Sequence, residues 1–253
     1  MSTISLAGKT ALVTGGGTGI GKAIAVEFAK NGAKVIVNYN ASKANAEEVV
    51  SEIKALGGEA IALQADLTKE EEVKALVEEC VKFGGTIDIL VNNAGTLVQR
   101  CPIDQMDLSL YNKIMDVNMT STFLVTKHVI PVMKKTGGRI INMSSVAAHN
   151  GGGPGAVIYA TSKAAVATFT KGLAKELAPY NILVNAIAPG VITTRFHDQY
   201  TSAEARENFK KSIPLGREGA PEEVAGAAML LATRYGSYIT GEMIEVNGGM
   251  YMD

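Results

Sequence analysis

The chain has 253 residues and a formal net charge of −1 at pH 7, and that length can bury a substantial core in one α/β domain. A near-neutral chain without a long basic run argues against nucleic acid or an anionic membrane as a partner. Residues 1–7 lack the basic and then apolar pattern of a signal peptide, and Cys80 and Cys101 lack paired-motif spacing. We therefore expect one soluble, cytoplasmic domain over residues 1–253, with free thiols and no membrane contact.

Short β-branched runs alternate along the chain with longer amphipathic stretches, a pattern typical of βαβ units. The strand candidates lie at 10–14, 34–38, 60–64, 87–92, 138–143, 182–188 and 243–246. Apolar residues spaced i, i+3, i+4, i+7 and i+8 from Val73 to Val81 predict a helix over 69–83. Similar helices are expected at 20–31, 42–56, 107–134, 158–178 and 221–233. Right-handed crossovers then predict an α/β fold, a single Rossmann-type doubly wound parallel sheet of about seven strands with helices on both faces.

The segment 195–212 is polar, charged and moderately helical, and it lies between the Pro189-Gly190 break and Pro214. Ligands of open α/β sheets bind outside the strand ends, where a segment that follows a late strand can cover them. We expect a substrate lid at about 195–212. A surface helix unrelated to any ligand is the alternative.

The first strand runs directly into a glycine-rich turn and then into an apolar helix. The candidate binding residues of this turn are Gly15, Gly17, Thr18, Gly19, Ile20 and Gly21. Glycines let backbone N–H groups approach a pyrophosphate, and the helix N-terminus adds a favourable dipole. The pattern predicts the phosphate-binding turn of a dinucleotide site, although its spacing, G-x-x-x-G-x-G, also occurs in plain turns.

The residues after the second strand bear on the choice of nucleotide. NAD-binding folds usually carry an acid here, but residues 38–43 contain none and the first acid is Glu47. A 2′-phosphate would meet no repulsion, and Tyr39, Ser42 and Lys43 are the candidates to contact it. NADP(H) is therefore favoured. NAD(H) stays an alternative because no arginine is present, and Lys43 can equally be a solvated first-turn residue.

Further motifs follow in a fixed order. They are Asp66-Leu67, Asn92-Asn93-Ala94-Gly95, Asn118, Ser144-Ser145, Tyr159-Ala160-Thr161-Ser162-Lys163, Pro189-Gly190 with Thr194, and Val246-Asn247-Gly248-Gly249. Each motif is common alone, but the ordered set resembles the short-chain dehydrogenase/reductase family over nearly the whole chain. The resemblance implies an oxidoreductase that transfers hydride between a nicotinamide and a carbonyl or secondary alcohol.

Four residues are the catalytic candidates: Asn118, Ser145, Tyr159 and Lys163. Tyr159 and Lys163 are spaced i, i+4 on one helix face, and a lysine cation with an oxidised nicotinamide would lower the pKa of the phenol. The resemblance implies that Tyr159 is the acid in reduction and the base in oxidation. It points to Ser145, with Ser144 as the alternative, as the second donor to the carbonyl oxygen. Asn118 resembles the helix asparagine that holds a water beside the lysine.

The same resemblance implies the contacts of the cofactor. Asp66 would contact the adenine, Asn92 would pack beside the ribose, and Lys163 would bind the nicotinamide ribose hydroxyls. The remaining cofactor positions implied are Leu67, Ala94, Gly95, Tyr159, Pro189, Gly190, Ile192 and Thr194. For Asn92 and Asn93 the alternative is that they satisfy buried backbone groups after a strand.

The histidines His128, His149 and His197 are isolated, so the sequence predicts no metal site. His149 and His197 could contact substrate, although a solvated loop histidine is the commoner case. Cys101 could border the same pocket.

Within the family the chain resembles 3-oxoacyl-[acyl-carrier-protein] reductases and glucose or polyol dehydrogenases. The carrier-protein reductases tend to carry an arginine where this chain has Tyr180, and Lys134 and Lys135 supply only part of a basic entrance. A 3-oxoacyl thioester is therefore rivalled by a sugar, polyol or small ketone. A catalytically silent dinucleotide-binding sensor is the alternative from another class. The resemblance also implies a homotetramer or homodimer, with the helix carrying Ala164, Ala165, Val166, Phe169 and Leu173 as a packing surface.

Overall fold

A single seven-stranded parallel sheet organises the computed structural model, which describes residues 4–194, 200 and 203–252. Its strands are β1 (Thr10–Val13), β2 (Lys34–Tyr39), β3 (Glu59–Gln64), β4 (Ile89–Asn92), β5 (Gly138–Met143), β6 (Ile182–Pro189) and β7 (Met243–Val246). They pair in the order β3-β2-β1-β4-β5-β6-β7, and every pairing is parallel. The predicted doubly wound sheet is confirmed, and its order reverses between β1 and β4, the switch point where ligands of such sheets bind.

Helices cover both faces of this sheet. They are α1 (Gly19–Lys30), α2 (Lys43–Ala55), α3 (Glu70–Gly84), α4 (Leu108–Met115), α5 (Ser121–Met133), α6 (Ala147–Asn150), α7 (Val157–Leu177), α8 (Ala203–Ser212) and α9 (Pro221–Ala232). Alternate strand residues enter opposite cores: Val13 packs with α1 and α9, whereas Leu12 packs with α3, α5 and α7. Both sheet faces are therefore buried, as the apolar strands require.

The predicted helix at 107–134 is wrong in one respect, because Asp116–Thr120 forms a π-helical turn between α4 and α5. The carboxamide of Asn118 explains the widening. It donates to the carbonyl of Ile114 at 2.8 Å and to that of Thr96 at 2.8 Å, so a side chain competes for the backbone acceptors of the helix. The short helix α6 was not predicted.

The helix α7 packs part of its predicted surface within the chain. Val166 and Leu173 are buried, and Phe169 packs partly buried against the same core as α3 and α5. These side chains therefore stabilise the single chain, and the role of α7 in an interface between copies stays a prediction.

Only part of the predicted lid is described. Residues 195–199 and 201–202 lie outside the described residues, and α8 forms the remainder. Arg206 on α8 donates to Glu218 at 2.8 Å, and Glu218 also accepts from Thr193 after β6 at 3.1 Å. These bonds hold α8 beside the carboxyl end of β6, and the lid function itself stays a prediction.

Candidate active site

A cavity of about 670 Å³ opens at the carboxyl edge of the sheet, at the switch point between β1 and β4. It is lined by the glycine turn, the loops after β2, β4, β5 and β6, and the first turns of α7. Most predicted site residues lie on its wall: Gly15, Gly17, Thr18, Gly19, Ile20, Tyr39, Ser42, Ala94, Gly95, Ser145, Tyr159, Lys163, Pro189, Gly190, Ile192 and Thr194. The fold therefore brings into one cleft residues that are up to 179 positions apart in the chain, from Gly15 to Thr194.

Six predicted residues are not among the described residues that line the cavity: Gly21, Lys43, Asp66, Leu67, Asn92 and Asn118. Lys43 opens α2 as an exposed residue, 3.5 Å from Glu47. Asp66 accepts hydrogen bonds from the backbone and hydroxyl of Thr68, which lower the pKa of its carboxyl group. Leu67 packs in the core with α3.

The two asparagines after β4 point in different directions. Asn92 is buried in the sheet and donates to Thr126 and Asn142, at 2.9 and 2.8 Å. Asn93 lines the cavity and donates to the carbonyls of Thr14 and Gly15, at 2.9 and 3.1 Å. Asn93 therefore holds the glycine turn against β4, which agrees with the alternative that this residue satisfies backbone groups after a strand.

The nucleotide end of the cavity is built from backbone. Gly15 and Gly19 adopt φ of 60° and 53°, in the left-handed region that favours glycine. A Cβ at Gly21 would lie 2.5 Å from the carbonyl oxygen of Gly15, so only glycine permits this close packing. Thr18 precedes α1 without a capping side-chain bond to any described residue, which leaves the first amide groups of the helix open to an anion. The turn fits a pyrophosphate.

The wall beyond this turn is formed by Asn38, Tyr39, Asn40, Ala41 and Ser42 at the end of β2. Among the described residues that line the cavity there is no Asp or Glu. A phosphate on the adenosine ribose would therefore meet amide and hydroxyl groups rather than a carboxylate.

The catalytic end is built from two side chains of α7, the buried Lys163 and the half-buried Tyr159. Lys163 is 4% exposed, donates to the carbonyl of Met143 at 2.8 Å, and has its amine 5.9 Å from the ring centre of Tyr159. Burial lowers the pKa of Lys163 to about 8. Burial raises the pKa of Tyr159 to about 12, against a smaller lowering by its hydrogen bond with Ser145. In the protein without cofactor the phenol therefore stays protonated at neutral pH, and the lowering of its pKa by the lysine cation together with an oxidised nicotinamide stays a prediction.

Adjacent serines make different contacts. The hydroxyl of Ser144 is buried and donates to the backbone carbonyl of Lys163 at 2.9 Å. Ser145 accepts from the amide of Ala147 at 3.1 Å and is hydrogen bonded to Tyr159. Ser145 is therefore the serine that contacts the phenol of Tyr159, whereas the hydrogen bond of Ser144 connects α7 to the loop after β5.

Asn118 lies directly behind the catalytic pair. It is 0% exposed and accepts from the amide of Thr96 at 3.0 Å. A Cβ at Gly95 would lie 2.6 Å from the Asn118 carbonyl oxygen and 3.0 Å from the Lys163 amine. Both side chains therefore converge on the backbone of Gly95, which has to be glycine for that approach.

The other candidates lie elsewhere. His149 bonds Glu245 at 2.8 Å and stacks on Tyr251, and it is not among the described residues lining the cavity. His197 lies outside the described residues. Lys134 stacks on Tyr180 at 4.1 Å, and both precede strands, so they lie at the sheet edge opposite the cavity.

Within the part of the chain that the structure describes, no three His, Cys, Asp or Glu residues gather where they could hold a metal ion. None of the helices formed by those residues is both long and apolar enough to cross a membrane.

Known proteins resemble this chain over nearly its whole length. A family model described as enoyl-(acyl carrier protein) reductase matches residues 15–251. A 3-oxoacyl-[acyl-carrier-protein] reductase of Aquifex aeolicus is 44% identical over 98% of this chain and 99% of its own length. Glucose 1-dehydrogenase 2 of Bacillus subtilis is 41% identical over 97% and 95%. A 7α-hydroxysteroid dehydrogenase complexed with NADH and 7-oxo glycochenodeoxycholic acid superposes with a TM-score of 0.93, at 37% identity, over 98% of this chain and 96% of that one.

The fold, the cleft and these comparisons define an NAD(P)-dependent oxidoreductase that interconverts carbonyl and CH–OH groups. The chain belongs to the short-chain dehydrogenase/reductase family.

Proposed function

We propose that the protein is an NADPH-dependent reductase of 3-oxoacyl thioesters, with Ser145, Tyr159, Lys163 and Asn118 as its catalytic group. The observation that carries the proposal is the hydrogen bond between Ser145 and Tyr159 in the same cleft as the buried amine of Lys163. The full-length similarity to a 3-oxoacyl-[acyl-carrier-protein] reductase supports the substrate class.

The proton chemistry follows from the environment of Tyr159. Because its pKa is about 12, the phenol is protonated at neutral pH and can donate to a carbonyl oxygen as that oxygen gains negative charge. The Ser145 hydroxyl donates a second hydrogen bond to the same oxygen. When bound, the nicotinamide supplies the hydride that adds to the carbonyl carbon.

Lys163 and Asn118 support that step. The Lys163 ammonium binds the ribose hydroxyls of the cofactor and stabilises the phenolate left after proton transfer. Asn118, whose carbonyl oxygen faces the same glycine as the lysine amine, holds a water that returns a proton from solvent. Deep burial keeps these groups in one geometry before substrate arrives.

The cofactor contacts divide between the two ends of the cleft. The glycine turn holds the pyrophosphate, and the carboxylate-free wall with Tyr39 and Ser42 receives a 2′-phosphate, which favours NADPH over NADH. Pro189 at the end of β6 and Gly190, Ile192 and Thr194 after it line the cleft where the carboxamide would lie. Asp66 and Lys43 are not among the residues of this wall. The proposed contacts of Asp66 with the adenine and of Lys43 with the 2′-phosphate therefore form only when the nucleotide is bound.

A sugar, polyol or small ketone is the second candidate substrate. The observation in its favour is that Lys134 lies opposite the cleft and thus adds no positive charge to its mouth within one chain. An acidic carrier protein docked at the cleft would therefore gain little electrostatic attraction from Lys134. The similarity to a glucose dehydrogenase points the same way.

The proposal includes a homotetramer or homodimer working in the cytoplasm. Exposed apolar side chains on α4 and α5 support self-association, since Leu108 is 71% exposed and Phe123 is 43% exposed. The free thiols of Cys80 and Cys101 suit a reducing compartment. Light scattering distinguishes the two assemblies.

The test is the oxidation of NADPH and, separately, NADH, followed by absorbance with 3-oxoacyl thioesters, small ketones and keto-sugars. We expect NADPH oxidation with thioesters, and a fall in kcat of about 10³-fold in the Tyr159→Phe variant, because the proton donor is lost while the ring remains.

Circular dichroism and NADPH binding provide the controls for that variant, and both should match the wild type. Turnover of sugars or small ketones alone would replace the thioester by the second candidate. Near wild-type turnover in a folded Tyr159→Phe protein would contradict the catalytic assignment.

A further inference from the structure

Arg100 lies on the wall of the cleft, in the loop between β4 and α4. Its guanidinium donates to the carbonyl of Pro154 at 2.9 Å and to the carbonyl of Tyr200 at 3.0 Å. Next to it, the amide of Cys101 donates to the carbonyl of Gly155 at 2.9 Å. Two donor groups of the fork are thus fixed by the backbone, so the guanidinium has a set orientation.

Three separate segments meet at this arginine: the loop after β4, the glycine-rich loop before α7, and Tyr200 after β6. The hydroxyl of Tyr200 also lies 3.1 Å from that of Thr96. Val98, between Thr96 and Arg100, adopts a φ of 64°, which is costly for a β-branched residue. Such a shape persists only where surrounding contacts hold it, so the position of Arg100 is built by the fold.

Both acceptors of Arg100 are uncharged carbonyl groups, and no carboxylate of a described residue forms an ion pair with it. Arg100 and Lys163 are the only charged side chains among the described residues that line the cleft. Lys163 is committed to the catalytic centre, which leaves Arg100 as the cation available to a substrate.

We propose that Arg100 binds an oxyanion of the substrate, at a point away from the carbonyl held by Ser145 and Tyr159. A planar guanidinium with remaining N–H donors matches a carboxylate or a phosphate. This inference rests on the proposed function and narrows its substrate class to carbonyl compounds that carry a negative charge. The oxyanion is either a phosphate of a pantetheine thioester or the carboxylate of a keto acid.

The test compares charged and neutral members of substrate pairs that share one reacting group. Acetoacetyl-CoA is paired with acetoacetyl-N-acetylcysteamine, which lacks the phosphates, and 4-oxopentanoate is paired with its methyl ester. We expect Arg100→Gln to lower kcat/KM about tenfold to hundredfold for the charged member that the wild type prefers. For the neutral partner the change should stay within about threefold. The pair that responds identifies the source of the oxyanion.

Two further variants keep the test decisive. Arg100→Lys retains the charge and should recover part of the preference for the charged substrate, also where Arg100→Gln proves unstable. Arg234→Gln, which removes an exposed arginine outside the cleft, should leave both members unchanged. Rising ionic strength should reduce the charged-to-neutral ratio in the wild type and not in Arg100→Gln.

Equal losses for charged and neutral substrates in Arg100→Gln would overturn the inference, because the arginine would then only join the loops. A wild type that reduces only uncharged compounds would overturn it as well. Absence of thioester reduction by the wild type would reject the proposed thioester substrate. In that case, a wild-type preference for keto acids that is lost in Arg100→Gln would still support Arg100 as the oxyanion site.

Discussion

The two ends of the cleft are built by different means. At the nucleotide end, the phosphate turn consists of consecutive residues between β1 and α1 and depends on backbone groups and missing side chains, as at Gly15 and Gly21. At the catalytic end, the contacts come from side chains on the loop after β5, on α7 and on the π turn. The phosphate turn is one continuous segment, whereas the catalytic group exists only in the complete fold.

This difference predicts how substitutions divide. At the catalytic end, changing one side chain should affect turnover while the cofactor still binds, since the nucleotide is held elsewhere. At the nucleotide end, an added side chain should weaken cofactor binding and stability while turnover at saturation survives.

The largest expected effect, on kcat, separates two neighbouring serines at the catalytic end. Ser145 is hydrogen bonded to Tyr159, whereas Ser144 bonds the backbone of α7. Ser145→Ala should lower kcat about 10²–10³-fold with little loss of stability, since it removes one donor to the developing oxyanion. Ser144→Ala should cost about 1 kcal/mol of unfolding free energy, since it removes the bond to the Lys163 carbonyl, and leave kcat within about threefold. Steady-state kinetics and urea unfolding measure both. The reverse pattern would move the catalytic role to Ser144.

A smaller effect is expected from an added methyl group at the nucleotide end. Gly21→Ala would place a Cβ 2.5 Å from the Gly15 carbonyl oxygen and 2.5 Å from the Asn93 amide nitrogen. We expect a loss of about 1–3 kcal/mol in stability. The dissociation constant for NADPH should rise at least about tenfold as the turn shifts, with kcat at saturation nearly unchanged. Denaturant unfolding and fluorescence titration measure these quantities.

The matched control is Gly172→Ala on the exposed side of α7, where nothing lies within 4 Å of the added Cβ. This variant should be equal to the wild type or more stable by about 0.5–1 kcal/mol, because alanine favours a helix. An equal loss in both variants would mean that the packing at Gly21 has no special role.

The sequence was informative where a property depends on neighbours in the chain. Short β-branched runs placed β1 to β7 within two residues, because strands whose two faces are both buried are continuously apolar. The glycine turn could be found because its residues, Gly15 to Gly21, are consecutive in the chain. Tyr159 and Lys163 share a face of one helix, so their spacing alone put them together.

The sequence was silent where partners are distant. The π turn depends on Asn118 bonding Thr96, 22 positions away, and helical periodicity carries no trace of that contact. The sequence did not indicate that Arg100 lies at the cleft, because its acceptors, Pro154 and Tyr200, are 54 and 100 positions away. The raised pKa of Tyr159 likewise depends on burial, which outweighs the lowering by its hydrogen bond with Ser145.

The smallest expected effect separates the two ends by pH. Lys163 loses its proton as the pH rises through about 8, whereas the pKa of Tyr159 is about 12. If the ammonium binds the ribose hydroxyls, NADPH affinity should fall about tenfold between pH 7 and pH 9. Fluorescence titration at each pH measures this, and NADH should show the same fall because it differs only in the 2′-phosphate.

The Tyr159→Phe variant identifies the titrating group. It should retain the fall in affinity, since the lysine remains, even though its turnover is lost. Disappearance of the fall in that variant would assign the titration to the phenol instead. A fall seen with NADPH and absent with NADH would place its origin at the nucleotide end, where the 2′-phosphate would bind, and would contradict a role for the buried lysine in holding the cofactor.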